Sequence, residues 1–220
     1  MEKYMDILDS CPLFQNVGRE NYGKMLRCFG ARIYTVRKNT TIFHEGQHLS
    51  MVGIVLSGAV QVVQDDYLGN RSILSMASPG QLFCEGFACA GVDALPVSII
   101  ATADSQILLI DCTHIMTMCH NACTFHNQMI RNMLISVAQS NLLLSQKIEI
   151  LSKRTTREKV MAYLLSESKL QGRSDFVIPY DRQELADYLG VERSAMSTVI
   201  SKLKSEGFID VDRRHFRLIH

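Results

Sequence analysis

The sequence predicts an α+β protein in two parts: a glycine-punctuated β-roll that ends in one long helix, then a small helical domain closed by a β-hairpin. Three observations carry this. Short β-rich runs crowd residues 32–111, apolar residues from Ile130 to Leu151 alternate in steps of three and four, and residues 182–201 have helix-turn-helix spacing. The expected domains are 1–151 and 152–220, with the dimerisation helix at about 124–151.

In the first part the runs are ARIYTV, TIF, GIVLSGAVQVV, RSILSMA, VSIIATA and QILLID, and glycines 46, 53, 58, 69 and 80 are read as turns between them. Asp66-Tyr67-Leu68-Gly69-Asn70 reads as a hairpin tip. One segment, His44-Glu45-Gly46-Gln47-His48, matches a zinc-protease spacing that needs both histidines on one helix face with Glu45 beside the metal-bound water. Three residues just before it, Thr40, Thr41 and Ile42, are β-branched, and Gly46 sits at its centre, so a strand entering a glycine turn is expected instead. A cupin-like metalloenzyme using His44, His48 and a third ligand is the less favoured enzyme reading, and the chain is read as a non-enzyme.

The long helix follows. Ile130, Leu134, Val137, Asn141, Leu144, Ile148 and Leu151 form a heptad seam, with Asn141 at an a position, where a buried asparagine fixes register and partner number. Such a stripe predicts a homodimer; the competing possibility is that it packs on the chain's own β-domain.

The basic stretch 152–157 suits a hinge, a helix is expected from Glu158 to about Lys169, and Phe176–Ile178 reads as a strand. Asp181 then caps a helix with Glu184 in capping-box position. Leu185, Ala186, Leu189, Gly190, Val191, Met196 and Val199 fill the slots of a helix-turn-helix: a small residue where the helices touch, glycine at the turn, apolar residues between the helices. The outward positions of the second helix are Glu192, Arg193, Ser194, Ser197, Thr198, Ser201 and Lys202, and its small hydroxyls with an arginine fit a DNA major groove; Arg182 is a further candidate DNA contact. Two strands around Asp212-Arg213-Arg214-His215 complete a winged helix whose Arg213 and Arg214 suit phosphates.

Charge agrees with that division. Residues 152–220 hold 13 Lys/Arg against 10 Asp/Glu (+3), leaving 10 against 12 (−2) in residues 1–151, for the net +1 of the 220-residue chain. The start MEKYMDILDS lacks the basic and apolar regions of a signal peptide, and no apolar run is long enough to span a bilayer, so a cytoplasmic protein without membrane partners is expected. Seven cysteines (11, 28, 84, 89, 112, 119, 123) fit reduced thiols. Cys119, Cys123 and His126, with His120 nearby, have a spacing that could serve a metal-, haem- or redox-sensing regulator; ordinary packing of buried cysteine is preferred, and no metal or cofactor is assigned.

A β-roll, a long dimer helix and a C-terminal winged helix together resemble the Crp/Fnr family of bacterial transcription regulators over essentially the whole chain. Phe43-His44-Glu45-Gly46 with 53-GIVLSGAVQV-62 is similar to the family's turn at the start of the roll, and 79-PGQLFCEGFA-88 to its phosphate-binding segment. The resemblance implies a double-stranded β-helix (cupin-like β-roll) that senses an effector, a dimer reading an inverted repeat in double-stranded DNA, and RNA polymerase as a further partner. Two departures matter: Cys84 replaces the glycine beside Glu85, and Pro96-Val97-Ser98 offers no arginine for a cyclic phosphate. No cyclic AMP response is expected. The effector, an unknown small molecule of uncharged or aromatic character, would be lined by Phe83, Cys84, Glu85, Phe87, Val97, Ser98, Met133 and the partner copy's Ser145. The family's iron–sulfur branch clusters cysteines near its N-terminus; Cys11 and Cys28 alone do not carry that cluster over.

Overall fold

The structure, a computed structural model, describes residues 2–117 and 125–219. Helices α1 (Met5–Ser10) and α2 (Arg19–Cys28) precede strands β1 (Arg32–Val36), β2 (Thr41–Phe43), β3 (Met51–Ser57), β4 (Val60–Asp65), β5 (Arg71–Ala77) and β6 (Leu82–Phe83). Next come helix α3 (Glu85–Ala90), strands β7 (Ser98–Ala101) and β8 (Ser105–Asp111), and helices α4 (Cys112–Met116) and α5 (His126–Leu151). The C-terminal part is α6 (Thr156–Gln171), β9 (Asp175–Val177), α7 (Arg182–Leu189), α8 (Arg193–Ser205), β10 (Ile209–Asp212) and β11 (His215–Leu218). The chain divides into two compact units, Met1–Asp65 with Leu74–Leu142 and Asp66–Ile73 with Leu143–His220, so the division falls inside α5.

Two four-stranded sheets, ordered β1-β8-β3-β6 and β2-β7-β4-β5, make the roll. The pleat explains why 53-GIVLSG and 106-QILLI are almost unbroken apolar runs. Alternate residues Val52, Ile54 and Leu56 of β3 and Leu108 and Ile110 of β8 pack with Leu8, Phe14, Met25 and Phe29 from the N-terminal segment and Met129 and Met133 of α5. Residues on the other face, Val55, Ile107 and Leu109, pack with Phe43, Val60, Val62 and Ile99 inside the roll. Both faces of the central strands are therefore covered, and strict alternation disappears from the sequence.

One expected turn is not a turn. Gly53 lies within β3, paired with Phe83 of β6. A Cβ at Gly53 would stand 2.0 Å from Phe83 Cζ, so glycine is needed there for close approach of the aromatic ring. Gly58, by contrast, does separate β3 from β4. The tip at Asp66–Asn70 is as expected: Asp66 Oδ1 accepts from the backbone N–H groups of Leu68 and Asn70, each at 2.8 Å.

Polar side chains on α5 fasten its N-terminal half. Asn132 is buried and its amide donates to the carbonyls of Leu13 (2.8 Å) and Gln15 (2.7 Å). His126, also buried, bonds through Nε2 to the carbonyl of Ile115 at 2.9 Å, and its ring meets Phe29 edge-on at 5.2 Å. Its other partners in the cysteine–histidine spacing, Cys119, His120 and Cys123, lie outside the described residues.

In the second unit the expected hinge is shorter than 152–157. Thr155 already caps α6, forming a capping box with Glu158, and Arg157 lies within the helix, paired with Glu206 at 2.5 Å. Lys147 of α5 is mostly buried: its ammonium donates to the Ile73 carbonyl and sits 4.1 Å from the Tyr188 ring centroid. Burial brings its pKa down from 10.5 to about 8. Below that value the folded protein holds a charge at a cost the unfolded chain does not bear. Stability contributed at this site is therefore lowest below pH 8 and rises as pH climbs from about 8 to 10.5. Urea unfolding across that range should show wild type gaining on Lys147→Met, with the difference between them fixed below pH 7.

Candidate functional site

Two backbone devices build the helix pair α7–α8. Asp181 Oδ1 accepts from the N–H groups of Gln183 and Glu184, each at 2.9 Å, while Glu184 Oε2 accepts from Asp181 N–H at 2.7 Å. The expected capping box thus starts α7. At the other end Gly190 takes a left-handed conformation (φ 57°, ψ 51°), and Val191 N–H donates to the Ala186 carbonyl at 3.1 Å. Leu185, Ala186 and Leu189 are buried on α7, as are Met196, Ile200 and Leu203 on α8. Of the residues expected to weld the two helices, Val191 and Val199 are only partly covered.

That packing leaves one face of α8 open to solvent. Arg193, Ser194, Thr198, Ser201 and Lys202 are exposed and Ser197 is partly so. Thr198 Oγ1 donates to the Ser194 carbonyl at 3.1 Å and Ser194 Oγ to Glu192 at 3.4 Å, local bonds that hold the hydroxyls close to the helix. The wing is present: β10 and β11 pair through Asp212 and His215, and β9 joins the other side of β11. Arg213 stands in the turn with φ 52°. Arg214 is exposed but reaches Glu184 Oε2 at 3.4 Å, so the carboxylate that closes the cap also holds a wing arginine. Arg182 differs from the other candidate DNA contacts. It is half-buried, its guanidinium lies 5.2 Å from the Phe216 ring centroid, and among the described residues its buried Nη1 has no hydrogen-bond partner. Burial lowers its pKa.

In the first unit, Phe83, Cys84 and Val97 lie together in the interior of the roll, with Phe87 packed against them. Cys84 precedes α3 with φ 66°, the left-handed conformation for which glycine is best suited. Glu85 is nearly buried and accepts from Ser140 Oγ of α5 at 2.5 Å, a link that sequence reasoning missed. Ser98 Oγ accepts from the backbone N–H of Glu45 at 3.1 Å. Met133 is not with these residues: it belongs to the cluster beneath the N-terminal helices. Ser145 is exposed and lies in the second unit. Residues 79–98 contain neither lysine nor arginine.

His44 opens a turn over residues 44–47, and His48 follows it in irregular backbone. Both are exposed, and Gln47 N–H donates to the His44 carbonyl at 3.1 Å, while Gly46 N–H donates to the Leu95 carbonyl. A zinc-protease helix is therefore absent from this segment.

On α5, one face is buried through Met129, Asn132, Met133 and Ser136. Along the predicted seam, Leu134 (69%), Leu144 (48%) and Ile148 (67%) are exposed, Asn141 is exposed, and Ile130, Val137 and Leu151 are partly covered. Exposed apolar surface extends beyond the seam to Ile135, Leu142 and Leu143. Among the described residues, no helix is long and apolar enough to cross a membrane.

A roll of two antiparallel sheets, a long helix with an uncovered apolar stripe and a capped helix pair with a wing define a class of regulator with a helix-turn-helix DNA-binding domain. Family comparison agrees: residues 34–122 match the cyclic nucleotide-binding domain and residues 158–220 the Crp-like helix-turn-helix domain. The chain belongs to the Crp/Fnr family of transcription regulators. It is 22% identical to the transcriptional activator protein FnrA of Stutzerimonas stutzeri, across 84% of this chain and 75% of that one. It is 24% identical to the cyclic AMP receptor protein of Thermus thermophilus, across 90% and 88% respectively. A solved structure of a CooA mutant from Carboxydothermus hydrogenoformans shares the fold with a TM-score of 0.75 at 20% identity, covering 98% of this chain and 94% of that one.

Proposed function

We propose that this regulator acts as a homodimer that binds an inverted-repeat operator in double-stranded DNA, under control of an effector sensed by the roll and other than cyclic AMP. The face of α8, with Arg193 among small hydroxyls and clear of the packed interior, is the observation that carries this reading. Arginine can donate two hydrogen bonds to a guanine edge, and the hydroxyls let the helix approach closely. Arg213 and Arg214 on the wing would meet phosphates. The uncovered stripe on α5 supports pairing of two copies, which sets half-sites about one helical turn apart. Residues 1–151 would form the sensing and pairing part and 152–220 the DNA-binding part.

A cyclic nucleotide carries a phosphate monoanion, and residues 79–98 supply no cation to receive it. The side chains of Phe83, Phe87 and Val97, packed together in the roll, are apolar and would suit an uncharged or aromatic ligand better. A regulatory rather than enzymatic role, residence in the cytoplasm and contact with RNA polymerase follow from the same reading. Selection from random duplexes should enrich one inverted repeat, and cyclic AMP should leave affinity for it unchanged in a gel shift. Enrichment of no repeat would overturn the operator reading; a cyclic AMP-dependent gain would overturn the effector reading.

A further inference from the structure

Cys89 on α3 and Cys112, the first residue of α4, bring their sulfurs to 3.5 Å in a thiol–thiol hydrogen bond. They stand 23 residues apart in sequence, at a spacing that suggests no motif. The two are not equivalent. Cys112 is buried, whereas Cys89 is partly exposed and open to a small reagent. The hydrogen bond shared with Cys112 holds the Cys89 thiol below its ordinary pKa, and the same contact with burial pushes Cys112 up. The partly exposed sulfur is therefore the one a reagent meets first, with the buried sulfur beside it. Among the described residues no third histidine, cysteine or carboxylate completes a metal-binding group there, whereas a structural metal such as zinc takes four ligands. Two sulfurs alone suffice for a disulfide, whose bond length is about 2 Å.

From this pair we infer that Cys89 and Cys112 form a peroxide-reactive dithiol site, with Cys89 as the attacking sulfur and Cys112 as the resolving one. The Cys89 thiolate attacks one oxygen of a hydroperoxide. The O–O bond breaks, Cys89 becomes a sulfenic acid, and the departing oxygen takes a proton to leave as water or an alcohol. Cys112 sulfur then attacks Cys89 sulfur, the S–O bond breaks, and the hydroxyl leaves with the Cys112 proton as water. Two thiols are oxidised to one disulfide and one peroxide is reduced. The bond would tie α3 to α4, and α3 is the helix whose Glu85 accepts from Ser140 of α5. This inference does not depend on DNA binding, and its test reads sulfur chemistry alone.

The full-length reduced protein, freed of reductant, is treated with hydrogen peroxide, alkylated, and digested before aspartates; Asp93, Asp104 and Asp111 separate the two cysteines. The expected result is loss of two hydrogen masses and a linked peptide pair assigned by fragment ions to Cys89 and Cys112. In Cys112→Ser, dimedone should label Cys89; in Cys89→Ser, Cys112 should remain fully alkylatable. Wild-type Cys89 that stays fully alkylatable, or that links to a different cysteine, overturns the inference whether or not either variant folds.

Discussion

Aspartate at Leu144 and Ile148 together should convert the protein to a monomer and reduce its specific operator affinity by about 10³-fold or more, toward the level of non-specific binding. Both side chains are exposed on the described chain and lie on one seam of α5. Closing a heptad seam over them would bury apolar area worth roughly 1.5–3 kcal/mol for each leucine or isoleucine fully covered. A carboxylate in that place reverses the sign, since burying an unpaired charge is far more costly than leaving it in water. Because both positions are solvent-facing, the folded chain itself should tolerate the change, with a melting temperature close to that of wild type. Light scattering reads the mass, and a gel shift on the selected duplex reads the affinity. A double variant that stays dimeric would place the interface elsewhere, with Ile135, Leu142 and Leu143 the next surface to test.

Arg193→Ala should weaken binding to the selected operator by about 1–3 kcal/mol for each half-site whose guanine goes unread, which is roughly 5- to 150-fold, and should relax the base preference at one position of each half-site. Arg193 is exposed at the first turn of α8, so truncation leaves Met196, Ile200 and Leu203 packed as before. Arg213→Ala provides the contrast. A phosphate contact carries no sequence information, so removing it should weaken all duplexes alike and make the salt slope shallower by about one unit. Fluorescence anisotropy on matched and mismatched duplexes at several salt concentrations separates the two behaviours. If Arg193→Ala lowered affinity equally for every sequence, the residue would be a phosphate contact and the reading of α8 would need revision.

The parts of this molecule that could be read from sequence are those where local chemistry repeats or sits at fixed offsets. Asp181 with Glu184, Ala186 and Gly190 were each recognisable because capping boxes and left-handed turns depend on near neighbours. The strands of the roll were recognisable from their β-branched runs, and the helix from Ile130 to Leu151 from its spacing. What escaped sequence reasoning depends on distant partners. Gly53 looks like any turn glycine until Phe83 is found lying over it. Helix α3 is six residues long, too short for periodicity to show, and the bond of Glu85 to Ser140 joins residues 55 apart. The N-terminal helices are short as well, and their apolar residues find their partners on β3 and β8, far along the chain. Arg182 had the right type and place for a DNA contact, yet the ring of Phe216 draws it inward, which no spacing rule announces.

Asn132 also bears on how the chain folds as it is made. Its amide holds the carbonyls of Leu13 and Gln15, partners separated from it by 119 and 117 residues. On a ribosome, which releases the chain from its N-terminus at about 5–20 residues per second, the first helices emerge long before Asn132 does. The strands of the roll are likewise paired far apart, as β1 with β8. Closing such contacts is slow because the loop entropy is lost before the contacts can stabilise the chain. Until α5 emerges, the apolar faces of Leu8, Phe14 and Met25 lack Met129 and Met133, so the nascent first unit should be a client for chaperones that shield apolar surface.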